Sequence, residues 1–173
     1  MFLSVLVSCK KEQTPQPEIV LSTPEGTSTT EFSGEVLQQE IITFEGNITT
    51  FERALRAYRG KPILIDIWAS WCSDCIKGMP KVHKLQEEFD LVYMFLSFDR
   101  SEDSWREGVK RYKTIGENFL IPESSRKQLF KKALEIDWIP RYILVDHTGK
   151  IAHFRAVEAD DPKLIEKIKE LIK

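Results

Sequence analysis

A chain of 173 residues with 42% hydrophobic and 30% charged residues can bury one globular core plus a short extra segment, not two full domains. Its formal net charge of -2 provides no global field to attract nucleic acid or anionic lipid. Three cysteines, Cys9, Cys72 and Cys75, are too few for a disulfide-stapled framework. Beyond the first dozen residues no apolar run approaches the roughly 20 that cross a bilayer.

The N-terminus reads as an address. Met1 to Val7 form a short apolar run ending in Leu6-Val7-Ser8-Cys9. That ending resembles the bacterial lipobox, in which a small residue precedes a cysteine that becomes the lipidated N-terminus. The resemblance implies a signal over 1–9 and anchoring through Cys9, since two or more acyl chains hold a protein stably on a membrane. Lys10, where sorting signals place Asp, favours the outer membrane by the same analogy. Residues 10–34 are rich in Lys, Glu, Gln, Pro, Thr, Ser and Gly. Such a stretch buries too little to offset chain entropy, so a flexible linker is expected there, with one domain over 35–173.

Within 35–48 weak alternation predicts one or two short strands. Phe51, Ala54, Leu55 and Tyr58 have helical spacing behind a Thr49 or Thr50 cap, and Gly60-Lys61-Pro62 ends that helix. Ile63 to Trp68 is a nearly continuous apolar run, the pattern of a strand buried on both faces. A helix follows over 75–89 with Pro80 inside it, then a second buried strand over 91–98. Helices are predicted over 101–112 and 124–134, a strand over 142–145, a turn at 146–150 and a short strand over 151–155. Asp160-Asp161-Pro162 opens a last helix with Leu164, Ile165, Ile168, Leu171 and Ile172 on one face. This order predicts an α/β fold. Its first two long strands should be parallel through a right-handed crossover, and its terminal hairpin antiparallel.

Trp71-Cys72-Ser73-Asp74-Cys75 carries the chemistry. It leaves a buried strand and opens a helix, where unpaired amides and the helix dipole stabilise a thiolate, the reacting species. Two intervening residues let both sulfurs lie on one turn. Cys72, expected at the exposed rim, is the candidate nucleophile, and Cys75 the candidate resolving thiol. Zinc sites share this spacing but need two more ligands. No further cysteine lies in the domain, and His83, His147 and His153 are not spaced as a ligand pair. His83 reads as a surface or boundary residue, and the reading calls for neither metal nor cofactor. Asp66 stands in an apolar strand, where burial raises a carboxyl pKa and suits it to take the proton of Cys75. The alternative is a salt-bridged structural carboxylate.

The run from Asp66 to Cys75, with Pro80 beyond it, resembles the thioredoxin signature. Phe98-Asp99 before a helix containing Trp105, and Trp138-Ile139-Pro140 before a strand and Asp146-His147-Thr148-Gly149-Lys150, resemble the TlpA/ResA-like extracytoplasmic branch. The resemblance implies a thioredoxin-like three-layer fold: a central mixed sheet with a parallel βαβ half and a C-terminal antiparallel hairpin, flanked by helices. It also implies a cis-proline at Pro140 facing the cysteine pair, backbone groups of Ile139 offered to an extended substrate, and Trp71 on the apolar rim around Cys72. Plain core packing is the alternative for Trp71. Such proteins exchange thiols and disulfides, which here implies a Cys72–Cys75 disulfide, cysteine-containing exported proteins as substrates, a membrane redox donor and a periplasm-facing location. Disulfide formation or isomerisation, peroxide reduction, and a non-catalytic binding module in a membrane-surface assembly are the alternatives.

Two departures stand out. Many branch members carry Glu three residues after the second cysteine, where this chain has Gly78. The intervening dipeptide is Ser73-Asp74 instead of Gly-Pro, and a carboxylate there should disfavour the Cys72 thiolate.

Overall fold

The structure is a computed structural model and describes residues 30–122 and 124–173. Cys9 and the residues of the expected linker up to 29 lie outside the described residues. Among the described residues, those from Thr30 on are already packed, ahead of the expected boundary at 35. The Thr30 carbonyl accepts from Ile151 N at 2.9 Å. Phe32 meets Phe51 edge to face at 5.2 Å, and Ser33 caps a one-turn helix, α1 (Gly34–Leu37).

Seven strands form one mixed sheet, built around the apolar runs that the sequence marks. A hairpin, β1 (Glu40–Thr43) and β2 (Ile48–Thr50), leads into α2 (Phe51–Arg56), whose cap is the Thr50 hydroxyl. Next comes β3 (Ile63–Trp68), every residue of which is buried. The helix α3 (Ser73–Glu88) turns Cys75, Met79, Val82 and Leu85 inward at spacings of three and four, the periodicity of a helix covering a sheet. It returns the chain to β4 (Val92–Ser97), parallel to β3, and α4 (Glu102–Tyr112) carries it on to β5 (Glu117–Leu120), parallel to β4. After α5 (Ser124–Ala133) the antiparallel β6 (Arg141–Val145) and β7 (Ile151–Ala156) complete the sheet, and α6 (Pro162–Leu171) closes it. The strand order is β2-β1-β5-β4-β3-β6-β7. The expected parallel pair and the terminal antiparallel hairpin are both present.

The helices make two outer layers. On one face Tyr142 of β6 reaches Gly78 of α3, and Trp68 of β3 reaches Gly108 of α4. On that side too, Lys169 of α6 lies over the Phe89 ring that ends α3. On the other face Phe51 of α2 meets Phe130 of α5 at 5.4 Å. The strand β5 has no counterpart among the sequence-predicted elements. It is four residues long and starts after Gly116, whose φ of +139° and approach to Tyr93 exclude any side chain: a Cβ there would fall 2.4 Å from the Tyr93 carbonyl oxygen. Among the described residues no helix is long and apolar enough to cross a membrane.

Candidate functional site: a dithiol at a helix N-terminus

The site forms where β3 and β4 end. Their last residues, Trp68 and Ser97, are register partners, so the segments after them emerge side by side. Asp99, 1% exposed, fastens one to the other. Its carboxylate accepts from Ser70 N at 3.1 Å, Ser70 Oγ at 2.6 Å and Ser97 Oγ at 2.7 Å. A buried side chain that accepts from three donors is a rigid anchor, and here it fixes the turn that leads into the cysteines. From sequence, Asp99 stands only as a mark of resemblance. An acid ending a buried strand was the available signal for this role.

Cys72 and Cys75 are joined in a disulfide, with Cα atoms 5.3 Å apart. Cys72 is the N-cap of α3, and its sulfur accepts from Cys75 N at 3.1 Å. A helix N-terminus concentrates unpaired N–H groups and partial positive charge, so the group that stabilises a Cys72 thiolate is built into the local fold. Cys75 is 1% exposed. Cys72 is 7% exposed, more covered than a rim position suggests, because the loop before β6 lies over it. Its Sγ is 3.5 Å from the Ile139 carbonyl oxygen, and the Ile139–Pro140 peptide is cis. Trp71 is 59% exposed, which excludes core packing, and Trp138 stands equally clear of the fold at 64%. The two indoles, with Phe98, Pro122, Ile136 and Ile139, wall a cavity of about 770 Å³ beside Cys72. A larger hollow of about 960 Å³, lined by Tyr58, His83 and Tyr93 among others, contains no cysteine.

In β3, Asp66 is 3% exposed, and among the described residues neither carboxylate oxygen has a hydrogen-bond partner. The salt-bridge alternative is therefore overturned. Burial alone pushes its pKa up to about 8. Asp66 faces Tyr142 in the β3–β6 register, and cross-strand partners share a face, which puts it on the side covered by α3. His83 is a boundary residue, its Nε2 3.0 Å from the Lys113 carbonyl oxygen. Among the described residues no group of three or more His, Cys, Asp or Glu is placed to hold a metal ion.

The family model described as "Thioredoxin-like" matches residues 60–151, more than half of the chain. The thiol-disulfide oxidoreductase YkuV of Bacillus subtilis is 29% identical over 100 residues, 56% of this chain and 67% of that protein. The thiol-disulfide oxidoreductase ResA of Bacillus cereus is 23% identical over 120 residues, 68% of this chain and 67% of that protein. Among solved structures, a candidate thiol–disulfide oxidoreductase from Bacteroides vulgatus superposes with a TM-score of 0.64 at 30% identity, covering 78% of this chain and 86% of that one. With the helix-capping disulfide, the mixed sheet and these relatives together, the chain belongs to the thioredoxin-like family and is a thiol–disulfide oxidoreductase.

Proposed function

We propose that the protein works as a reductase of disulfides in exported proteins, held at the outer face of a bacterial membrane through lipid on Cys9 and recharged by a membrane redox donor. The observation that carries the direction is Asp66, a buried carboxyl whose pKa is pushed up to about 8, so that its ionised form is a base matched to a thiol proton. A proton acceptor on the inner side favours forming the second thiolate, and so favours giving electrons away. The anchor rests on Leu6-Val7-Ser8-Cys9.

The reaction runs in two exchanges. The Cys72 thiolate attacks one sulfur of a substrate disulfide; that S–S bond breaks, and the other substrate sulfur leaves as a thiolate that takes a proton. Cys75 then loses its proton to the ionised carboxylate of Asp66 and attacks Cys72 Sγ. The intermolecular bond breaks, the second substrate sulfur leaves as a thiolate that takes a proton from water, and Cys72–Cys75 remains oxidised. Two electrons and two protons have passed to the substrate. The exposed indole of Trp71 and the backbone of Ile139, set by Pro140, would bind the extended substrate during this exchange.

Titration of the protein against dithiothreitol or glutathione buffers, with free thiols read by alkylation and mass, tests the direction. A midpoint near the reducing end of the roughly -270 to -120 mV range spanned by thioredoxin-fold pairs is expected. A midpoint at the oxidising end would make the protein a disulfide former, and no disulfide in any buffer would end the redox reading.

A further inference from the structure

The groove beside Cys72 has a charge pattern that the chain as a whole does not. Three cations line it: Arg100 just beyond β4, and Lys127 and Lys131 of α5. The two lysines are four residues apart, on one face of the helix. Arg100 and Lys131 are exposed, while Lys127 is half-buried and donates from Nζ to the Asp99 carbonyl. Among the described residues none of the three forms an ion pair. The two carboxylates of the groove do. Asp74 is 3.4 Å from Lys77, and Asp137 is 2.5 Å from Arg141 and 3.8 Å from Arg155. The negative charges of the lining are thus neutralised from outside it, and the positive ones are left facing the cavity.

Burial lowers the pKa of Lys127; the nearby Asp99 carboxylate opposes this, and Arg100 and Lys131 act with burial, so the three cations are close enough to feel one another. The chain carries a net charge of -2, so this surface is a local arrangement and not a consequence of overall basicity. It borders the nucleophilic sulfur, and two exposed indoles flank it. An occupant that relieves the arrangement has apolar groups for the indoles and anionic groups for the cations. It must also be extended enough to bring a sulfur to Cys72.

Resting on the oxidoreductase reading, we infer that the groove selects substrates whose disulfide-bonded cysteine lies in an acidic segment, with Asp or Glu side chains within about three residues of the sulfur. Arg100 and Lys131, being exposed, act on encounter. Lys127 acts at closer range, because its ammonium is already held in place by Asp99. Charges so placed accelerate association with an oppositely charged partner and slow that with a like-charged one, and salt screens both effects.

The test uses the reduced protein and three synthetic peptides as homodisulfides, each with one cysteine flanked by acidic, uncharged or basic residues, with 2-hydroxyethyl disulfide as an uncharged reference. Second-order rates of oxidation of the protein are measured at low and high salt, each divided by the reference rate. The acidic peptide is expected to outrun the basic one by about tenfold or more at low ionic strength, with the gap closing in high salt. In the double variant Arg100→Glu, Lys131→Glu the order should flatten or reverse. Equal rates for the three peptides, or an unchanged order in the double variant, would overturn the charge preference while leaving the oxidoreductase reading intact. A protein that fails to react even with 2-hydroxyethyl disulfide would overturn both.

Discussion

The phenol of Tyr142 sits where a side chain at Gly78 would begin: a Cβ added to Gly78 falls 3.2 Å from the Tyr142 hydroxyl oxygen. This pairing gives a physical reason for the missing acid of α3, because the volume that a Glu at 78 would enter is held by the phenol. Replacing glycine by alanine inside a helix gains up to about 1 kcal/mol. Here the phenol must shift by a few tenths of an ångström to admit the methyl group. Gly78→Ala is therefore expected to gain much less than that in the native background and close to the full amount alongside Tyr142→Phe. A double-mutant cycle by urea unfolding should give a coupling of at least about 0.5 kcal/mol. Equal effects in the two backgrounds would remove the steric account.

The neutral carboxyl of Asp66 makes stability depend on pH, and the sign follows from proton counts. Below about 3.8, its ordinary value, the group is protonated in folded and unfolded chains alike. Between there and about 8 the unfolded chain loses this proton while the folded one keeps it, so stability falls as pH rises. Above about 8 the loss is complete. Asp66→Asn should abolish this slope and exceed the native protein by several kcal/mol at alkaline pH, at about 1.4 kcal/mol per unit of pKa difference. The resolving step should behave oppositely, speeding up through pH 8 in the native protein and losing that inflection in the variant. Stopped-flow resolution of a Cys72 mixed disulfide reads it directly.

Asp99 predicts a different kind of loss. Asp99→Ala strips the partner from Ser70 N, Ser70 Oγ and Ser97 Oγ at once. Leaving buried donors unpaired costs about 1–3 kcal/mol each, with part regained by water, so a net loss of about 2–4 kcal/mol is expected on denaturant unfolding. Amide exchange at Ser70 should rise together with it. Asp99→Asn retains the shape and an acceptor, and should cost less than half as much.

Asp74 stands in the first turn of α3, exposed and 3.4 Å from Lys77. Its charge disfavours the Cys72 thiolate, but solvent and Lys77 both weaken that influence. Asp74→Asn should make the potential less negative by only about 10–20 mV, the size of an exposed interaction below about 1 kcal/mol in a two-electron couple. An unchanged or more negative midpoint would show that this carboxylate does not tune the pair.

The sequence disclosed the centre of this molecule better than its margins. Ile63 to Trp68 and Val92 to Ser97 are nearly all buried, so their composition marks them as strands whatever surrounds them. The cysteines sit at a strand-to-helix junction, which spacing and punctuation alone locate. The strand β5 escaped because four residues leave no period to read, and its start depends on the contact between Gly116 and Tyr93. The covering of Cys72 escaped for a similar reason, since Ile139 is 67 positions along the chain. No pattern in the sequence brings Arg100 to Lys131, whereas the step from β4 through β5 to α5 folds them onto one wall.

The place where the described chain begins bears on how the protein can be mounted. Thr30 is bonded to Ile151 beside the β6–β7 turn, and Val145, just before that turn, pairs with Ile63 at the first residue of β3. Cys72 lies past the other end of β3, so the six-residue strand separates entry from sulfur by about 20 Å. Entry and reactive sulfur thus occupy opposite poles. With an anchor at Cys9 as proposed above, a support met on the Thr30 side would leave the disulfide facing away from it.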